Sequence, residues 1–157
     1  MSERRIVRII LDETSIIRRS PEVEQERAVA IYDILESNHF APKGDLTGPF
    51  HLHLRIEDHS RLVMEIRNVD EEALREVTVP LLPLRRLIRD YFQICESYYD
   101  AIKKLTPSQI ETIDMARRGL HDEGTRSLLE RLSEAVDVDF DTARRLFTLV
   151  CVLHIRG

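Results

Sequence analysis

The chain has 157 residues, 43% hydrophobic and 32% charged, the size and balance of one ordinary globular domain rather than a disordered tail. No apolar run approaches the roughly 20 residues of a membrane span, and a net charge of −5 opposes nonspecific nucleic-acid binding. The acidic excess sits in the first half: up to Leu82 there are 16 acids against 11 bases, and afterwards 12 of each. The basic residues are 20 arginines and 3 lysines. Arginine suits bidentate bonds to phosphate or carboxylate, but its spread through every segment fits GC-rich codon usage better.

Residues 5–11 place Val7, Ile9 and Leu11 on one face of a strand and Ile6 and Ile10 on the other. That pattern predicts a strand buried on both sides, away from a sheet edge. Residues 12–20 read as a connector. Ser20-Pro21-Glu22 then supplies an N-cap, a proline at the first helical position and an acid in the first turn. The helix is expected to turn Val23, Ala28, Ile31, Ile34 and Leu35 inward and to stop before Asn38. Residues 41–49, with two glycines and two prolines, read as a loop. A meander follows. Phe50, Leu52, Leu54 and Ile56 alternate with His51, His53 and Arg55; Leu62, Met64 and Ile66 form the next strand, with a hairpin turn at 57–60; Val77, Val79 and Leu81 mark a third.

The second half reads as helical. From Leu84 to Ile102 apolar residues recur at i, i+3 and i+4 over 83–105. Thr106-Pro107-Ser108-Gln109 is a capping box with proline at the first position, so a new helix starts there. It is predicted to run to Arg118 with Gly119 as its C-cap, and residues 120–123 to kink it or start another. Asp139 caps a last helix whose end, 146–153, is apolar all round and therefore central. The order is β-α-β-β-β followed by helices: a single α+β domain, sheet-forming over 1–82 and helical over 83–157, with an antiparallel sheet. Cys95 and Cys151 sit among apolar neighbours and read as buried thiols in a reducing compartment.

Three constellations could carry chemistry. His51 and His53 share a strand face and form half of a metal site, whose ordinary reading is a solvated strand face. Residues 117–124 gather Arg117, Arg118, His121, Asp122 and Glu123 with two glycines, which suits anion binding or acid–base work; a helix hinge explains nearly every residue there except His121. Tyr91, Phe92, Tyr98 and Tyr99 have core spacing, but Tyr98 and Tyr99 are adjacent and cannot both point fully inward. No phosphate loop, dinucleotide fingerprint, nucleophile elbow or zinc pattern occurs.

The segments LDETSIIRRSPEVEQERAVAIYDILE, LHLRIED, DYFQICESYYDAI, TPSQIETIDMARRGLHDEG and DFDTARRLFTLVCVLHIRG together resemble uncharacterised protein family 0262, a group of small bacterial proteins. The resemblance implies a bacterial cytosolic protein. It carries no catalytic residue and no cofactor.

The residues therefore point to a non-enzymatic cytoplasmic interaction or regulatory module without a cofactor. Its binding face is expected at Tyr98, Tyr99, Arg117, Arg118 and His121, taking another protein or an anionic ligand. One alternative is a metal-dependent hydrolase using His51 and His53. A second is RNA association through the pairs Arg85-Arg86 and Arg144-Arg145, which the net charge disfavours. The apolar last helix suits either a monomer core or the seam of a homo-oligomer.

Overall fold

The computed structural model describes residues 3–13 and 20–154, so most of the 12–20 connector lies outside the described residues. The chain is α+β. Strand β1 (Ile6–Leu11) leads to helix α1 (Pro21–Glu36), a short strand β2 (Phe40–Pro42) and strands β3 (Phe50–Glu57), β4 (Arg61–Arg67) and β5 (Ala73–Pro80). One 3₁₀ turn (Leu82–Leu84) precedes α2 (Arg85–Lys104), α3 (Pro107–Leu132), a short strand β6 (Val136–Val138) and α4 (Phe140–His154).

The main sheet has the order β1-β3-β4-β5. The β3-β4-β5 meander is antiparallel, as the alternation predicts, but β1 lies parallel to β3. The sheet is thus mixed, because the helical crossover through α1 returns the chain in the same direction. Two further expectations for β1 are corrected. It is an edge strand, and its register slips between Ile6 and Arg8. That bulge at Val7 puts Ile6 and Ile9 on the same buried face, where strict alternation would separate them.

The edge does not stay open at its start. The Asn38 carboxamide accepts the Ile6 N–H (2.7 Å) and donates to the Ile6 carbonyl (2.9 Å) and the Ile34 carbonyl (2.7 Å). One side chain so supplies the backbone partners of a missing strand and ends α1 as well. Beyond it, β2 pairs antiparallel with β6, Ala41 opposite Asp137. Part of the predicted 41–49 loop is therefore strand.

Helix α1 begins as expected: Ser20 Oγ accepts the Val23 N–H (3.2 Å). Its inward face is Ala30 and Ile34, whereas Ala28 and Leu35 turn outward. In α2 the buried positions are Ile88, Tyr91, Cys95 and Ala101, while Ile102 is exposed. The capping box at Thr106 and Gln109 is formed reciprocally. Helix α3 then continues to Leu132 without a break, so Gly119 is a mid-helix residue and not a cap. The buried faces of α3 and α4, together with β6, hold the chain helical past the glycine and offset its propensity cost. Asp139 caps α4, whose Oδ1 accepts the Thr142 N–H (3.2 Å), and Leu146 to Leu153 are buried except Thr148.

The two glycines of α3 have opposite surroundings. A Cβ on Gly124 would stand 2.2–2.6 Å from the Phe147 ring, whereas one on Gly119 would meet nothing within 4 Å. Gly124→Ala should destabilise the fold by about 1–3 kcal/mol through overpacking. Gly119→Ala should stabilise it by about 0.5–1 kcal/mol through helix propensity. Urea denaturation of both variants checks the pair, and equal midpoints would refute it.

Candidate functional site

The outer face of the sheet carries the two histidines. His51 and His53 do project together, and both reach one carboxylate: Nδ1 of His51 lies 3.0 Å from Glu71 Oε1, and Nε2 of His53 lies 2.9 Å from Oε2. A carboxylate only accepts, so each of these nitrogens carries its proton. Glu71 belongs to the β4–β5 turn and adopts φ +63°, unusual for a residue with a side chain. The turn holds it there: Asn68 Oδ1 accepts the N–H groups of Asp70 (2.9 Å) and Glu72 (3.0 Å), and Asn68 O accepts that of Glu71.

Two guanidinium groups complete the cluster, Arg67 at 3.3 Å and Arg8 at 3.4 Å from the same carboxylate. Desolvation opposes the charge on Glu71, but the bonds from His53 and His51 and the Arg67 cation outweigh it and lower the carboxyl to about 2. Glu65, opposite His53 in the ladder, is committed to Arg67 (2.8 Å). Among the described residues no group of three or more histidine, cysteine, aspartate and glutamate side chains is arranged to hold a metal ion. The lone pairs of Glu71 already face four donors, two of them cations, a setting that repels a further cation. His59 sits in the β3–β4 turn, where it and Asp58 both adopt left-handed backbone.

The second constellation lies among the helices. A cleft of about 590 Å³ opens between α1 and α3, over α4. Arg117, Arg118 and His121 come from α3; Arg144, Arg145 and Thr148 come from α4; Glu26 and Asp33 come from α1. The last pair had no signal in the sequence, because α1 precedes α3 by most of the chain. The α4 trio had one: Arg144, Arg145 and Thr148 are polar positions at helical spacing in an otherwise apolar helix. Tyr91 also lines the cleft.

Ion pairs tie the walls together. Arg117 is fixed by Asp114 (Nη2 to Oδ1, 2.6 Å), lies 3.8 Å from Glu26, and covers the Tyr98 ring at 4.5 Å. Tyr99 donates to Glu26 Oε1 (2.8 Å), so the two adjacent tyrosines support the cleft from behind, one under the cation and one on the acid. Burial and the Glu26 carboxylate raise the Tyr99 hydroxyl above its ordinary range, keeping it a donor. Arg118 is 63% exposed and, among the described residues, forms its ion pair with Asp114 (3.2 Å).

On α4, Arg144 forms no ion pair among the described residues. Arg145 lies 3.9 Å from Asp33, too far for a hydrogen bond, and its buried Nε has no partner. A buried N–H without an acceptor is costly and rare. The remaining pair, Arg85-Arg86, opens α2 and does not line the cleft; Arg86 faces Asp90 at 3.7 Å.

His121 is the floor. Its ring packs edge-on against Tyr91 (5.1 Å) and Phe147 (5.2 Å), and Nε2 lies 2.7 Å from Thr148 Oγ1. Thr148 donates to the Arg144 carbonyl, so it accepts from His121, which fixes the Nε2–H tautomer. Desolvation first, then Arg144 and Arg117 against an opposing Asp122, lowers the imidazole to about 4. It is neutral at physiological pH and packs as an aromatic group.

The molecule is thus an α+β protein with a charged open sheet face and an arginine-lined helical cleft. It belongs to the uncharacterised protein family UPF0262, which matches residues 3–156. Similar proteins of that family occur in Paramagnetospirillum magneticum (58% identical, covering 98% of this chain and 97% of the relative) and Rhodospirillum rubrum (57%, 97% and 93%). Another is found in Erythrobacter litoralis (54% identical, with both chains covered completely). No solved structure matches the chain.

The two depressed groups predict successive pH windows. His121, ordinarily 6.5 and about 4 when folded, binds its proton more readily in the unfolded chain, so stability falls as pH drops from 6.5 towards 4. Glu71, ordinarily 4.5 and about 2 when folded, extends the loss below that. Urea midpoints measured against pH should flatten only in the upper window for His121→Gln and only in the lower for Glu71→Gln. Unchanged curves would contradict the assignment.

Proposed function

We propose that the protein is a non-enzymatic, cytosolic binding module that accepts an anionic group in the cleft between α1, α3 and α4. The observation that carries this reading is the pair of cations on α4, in one cleft with Arg117 and Arg118: among the described residues Arg144 forms no ion pair, and the buried Nε of Arg145 makes no hydrogen bond and lies 3.9 Å from Asp33. Four arginines face three acids there, Glu26, Asp33 and Asp122. Of those acids Glu26 is engaged within the cleft by Tyr99 and Arg117, whereas Asp33 lies 3.9 Å from Arg145, beyond hydrogen-bond reach. An anionic oxygen entering the cleft gains charge-assisted bonds from these guanidinium groups.

The non-enzymatic reading rests on His121. A general base has to exchange protons near neutral pH. This imidazole is instead desolvated, hydrogen-bonded to Thr148 and sandwiched between Tyr91 and Phe147. The cytosolic reading is supported by two buried free thiols, Cys95 and Cys151. Among the described residues no helix is long and apolar enough to cross a membrane.

Inorganic phosphate and a labelled oligo-glutamate peptide are suitable probes. At least one should bind the native chain in the millimolar range or tighter, and more weakly as salt rises. Charge reversal at the two exposed arginines, Arg118→Glu with Arg144→Glu, should weaken that binding about tenfold or more. No binding of either probe, or undiminished binding by the variant, would overturn the proposal.

A further inference from the structure

Resting on that anion-binding reading, we infer that the cleft's occupant is an acidic amphipathic helix of another protein. The cleft has a second chemical character beside its arginines. On the outer flank of α1, Val29 is 45% exposed, Tyr32 64% and Leu35 37%, and Ala28 lies between them. Positions 28, 29, 32 and 35 make one stripe about 10 Å long. Single exposed apolar residues are ordinary, but a continuous stripe is a contact surface. Val29 also lines the cleft, so the apolar stripe and the arginine rim meet at that residue.

Neither half fits a partner of one character. A free phosphate would satisfy Arg144 and Arg145 and leave the stripe in water. A purely apolar partner would cover Arg118 and Arg144 without a counter-charge, at a heavy desolvation cost. An amphipathic helix seated in the groove between two helices presents both characters at once, with apolar anchors at i, i+3 and i+4 on Val29 and Tyr32 and carboxylates towards the arginines. The α1 wall is set for such a contact. The Tyr32 hydroxyl is held by Glu36 one turn on (3.0 Å), which lays the ring along the helix.

The test uses two labelled synthetic peptides of the same leucine and glutamate composition. One has leucines at i, i+3, i+4 and i+7, and the other is a permutation without that spacing. Binding to the full chain is followed by fluorescence anisotropy. The amphipathic peptide should bind about tenfold tighter than the permuted one. Tyr32→Ser and Leu35→Ser, uncharged changes at exposed sites outside the cleft lining that leave the fold intact by circular dichroism, should erase that difference. The same variants should keep oligo-glutamate affinity within about twofold.

Equal binding of the two peptides, with oligo-glutamate still lost on Arg118→Glu with Arg144→Glu, would overturn this inference and leave the anion-binding cleft standing. Loss of all binding by the native chain would remove both. An oligoribonucleotide that binds more tightly than the amphipathic peptide, through the same arginines, would replace the protein partner with RNA. A dimer in sedimentation that Tyr32→Ser dissociates would show the stripe covered by a second copy, and would equally overturn the inference.

Discussion

The ring of Phe147 lies where Gly124 has no side chain, and that contact sets how α3 sits on α4. Once Gly124 is fixed against Phe147, the rest of α3 follows by helical steps. His121, one turn earlier, falls against the same ring and against Tyr91. Arg117 and Arg118, a further turn back, arrive beside α1. A methyl group at residue 124 would push the helices apart, and the arginines would shift with them. The packing of the core and the placing of charge in the cleft are therefore one geometric fact.

Charge in this protein is organised around two carboxylates with different tasks. Glu71 collects two imidazoles and two guanidinium groups across the open face of the sheet, and ties the β4–β5 turn to β1 and β3. Glu26 reaches from α1 to Tyr99 and Arg117, and so holds the helical layers together. In both places the acid is more than matched by its donors. At α4 the donors go further and lack acceptors: among the described residues Arg144 forms no ion pair and the buried Arg145 Nε has no acceptor within hydrogen-bond reach. The cleft is the one of these clusters with hydrogen-bonding capacity to spare.

How much of this was legible depends on whether the signal was local. Periodicity marked β3, β4 and α2, and side-chain chemistry marked the caps at Ser20, Thr106 and Asp139, because each arises within a few residues of chain. The Val7 bulge and the edge position of β1 were not legible, since the register of β1 is set by β3, more than 40 residues away. Strands β2 and β6 are three residues each, too short for any period to show. Gly119 looked like a helix end because glycine usually is one after arginines; packing beyond it kept α3 whole. Arg117, Arg118 and His121 line one cleft, and Tyr98 and Tyr99 from α2 meet it through Arg117 and Glu26. Glu26 and Asp33 needed the fold, because nothing near them in the chain says which helix they face.

The carboxamide of Asn38 has a bearing on how copies of this chain can meet. By occupying the ladder positions of Ile6, it takes away the donor and acceptor that a foreign strand would need to dock at the start of β1. The first rung of that edge therefore ends in a side chain and not in a vacant ladder position. At that rung, strand addition, the common route from a sheet to a filament, is denied by a single amide group.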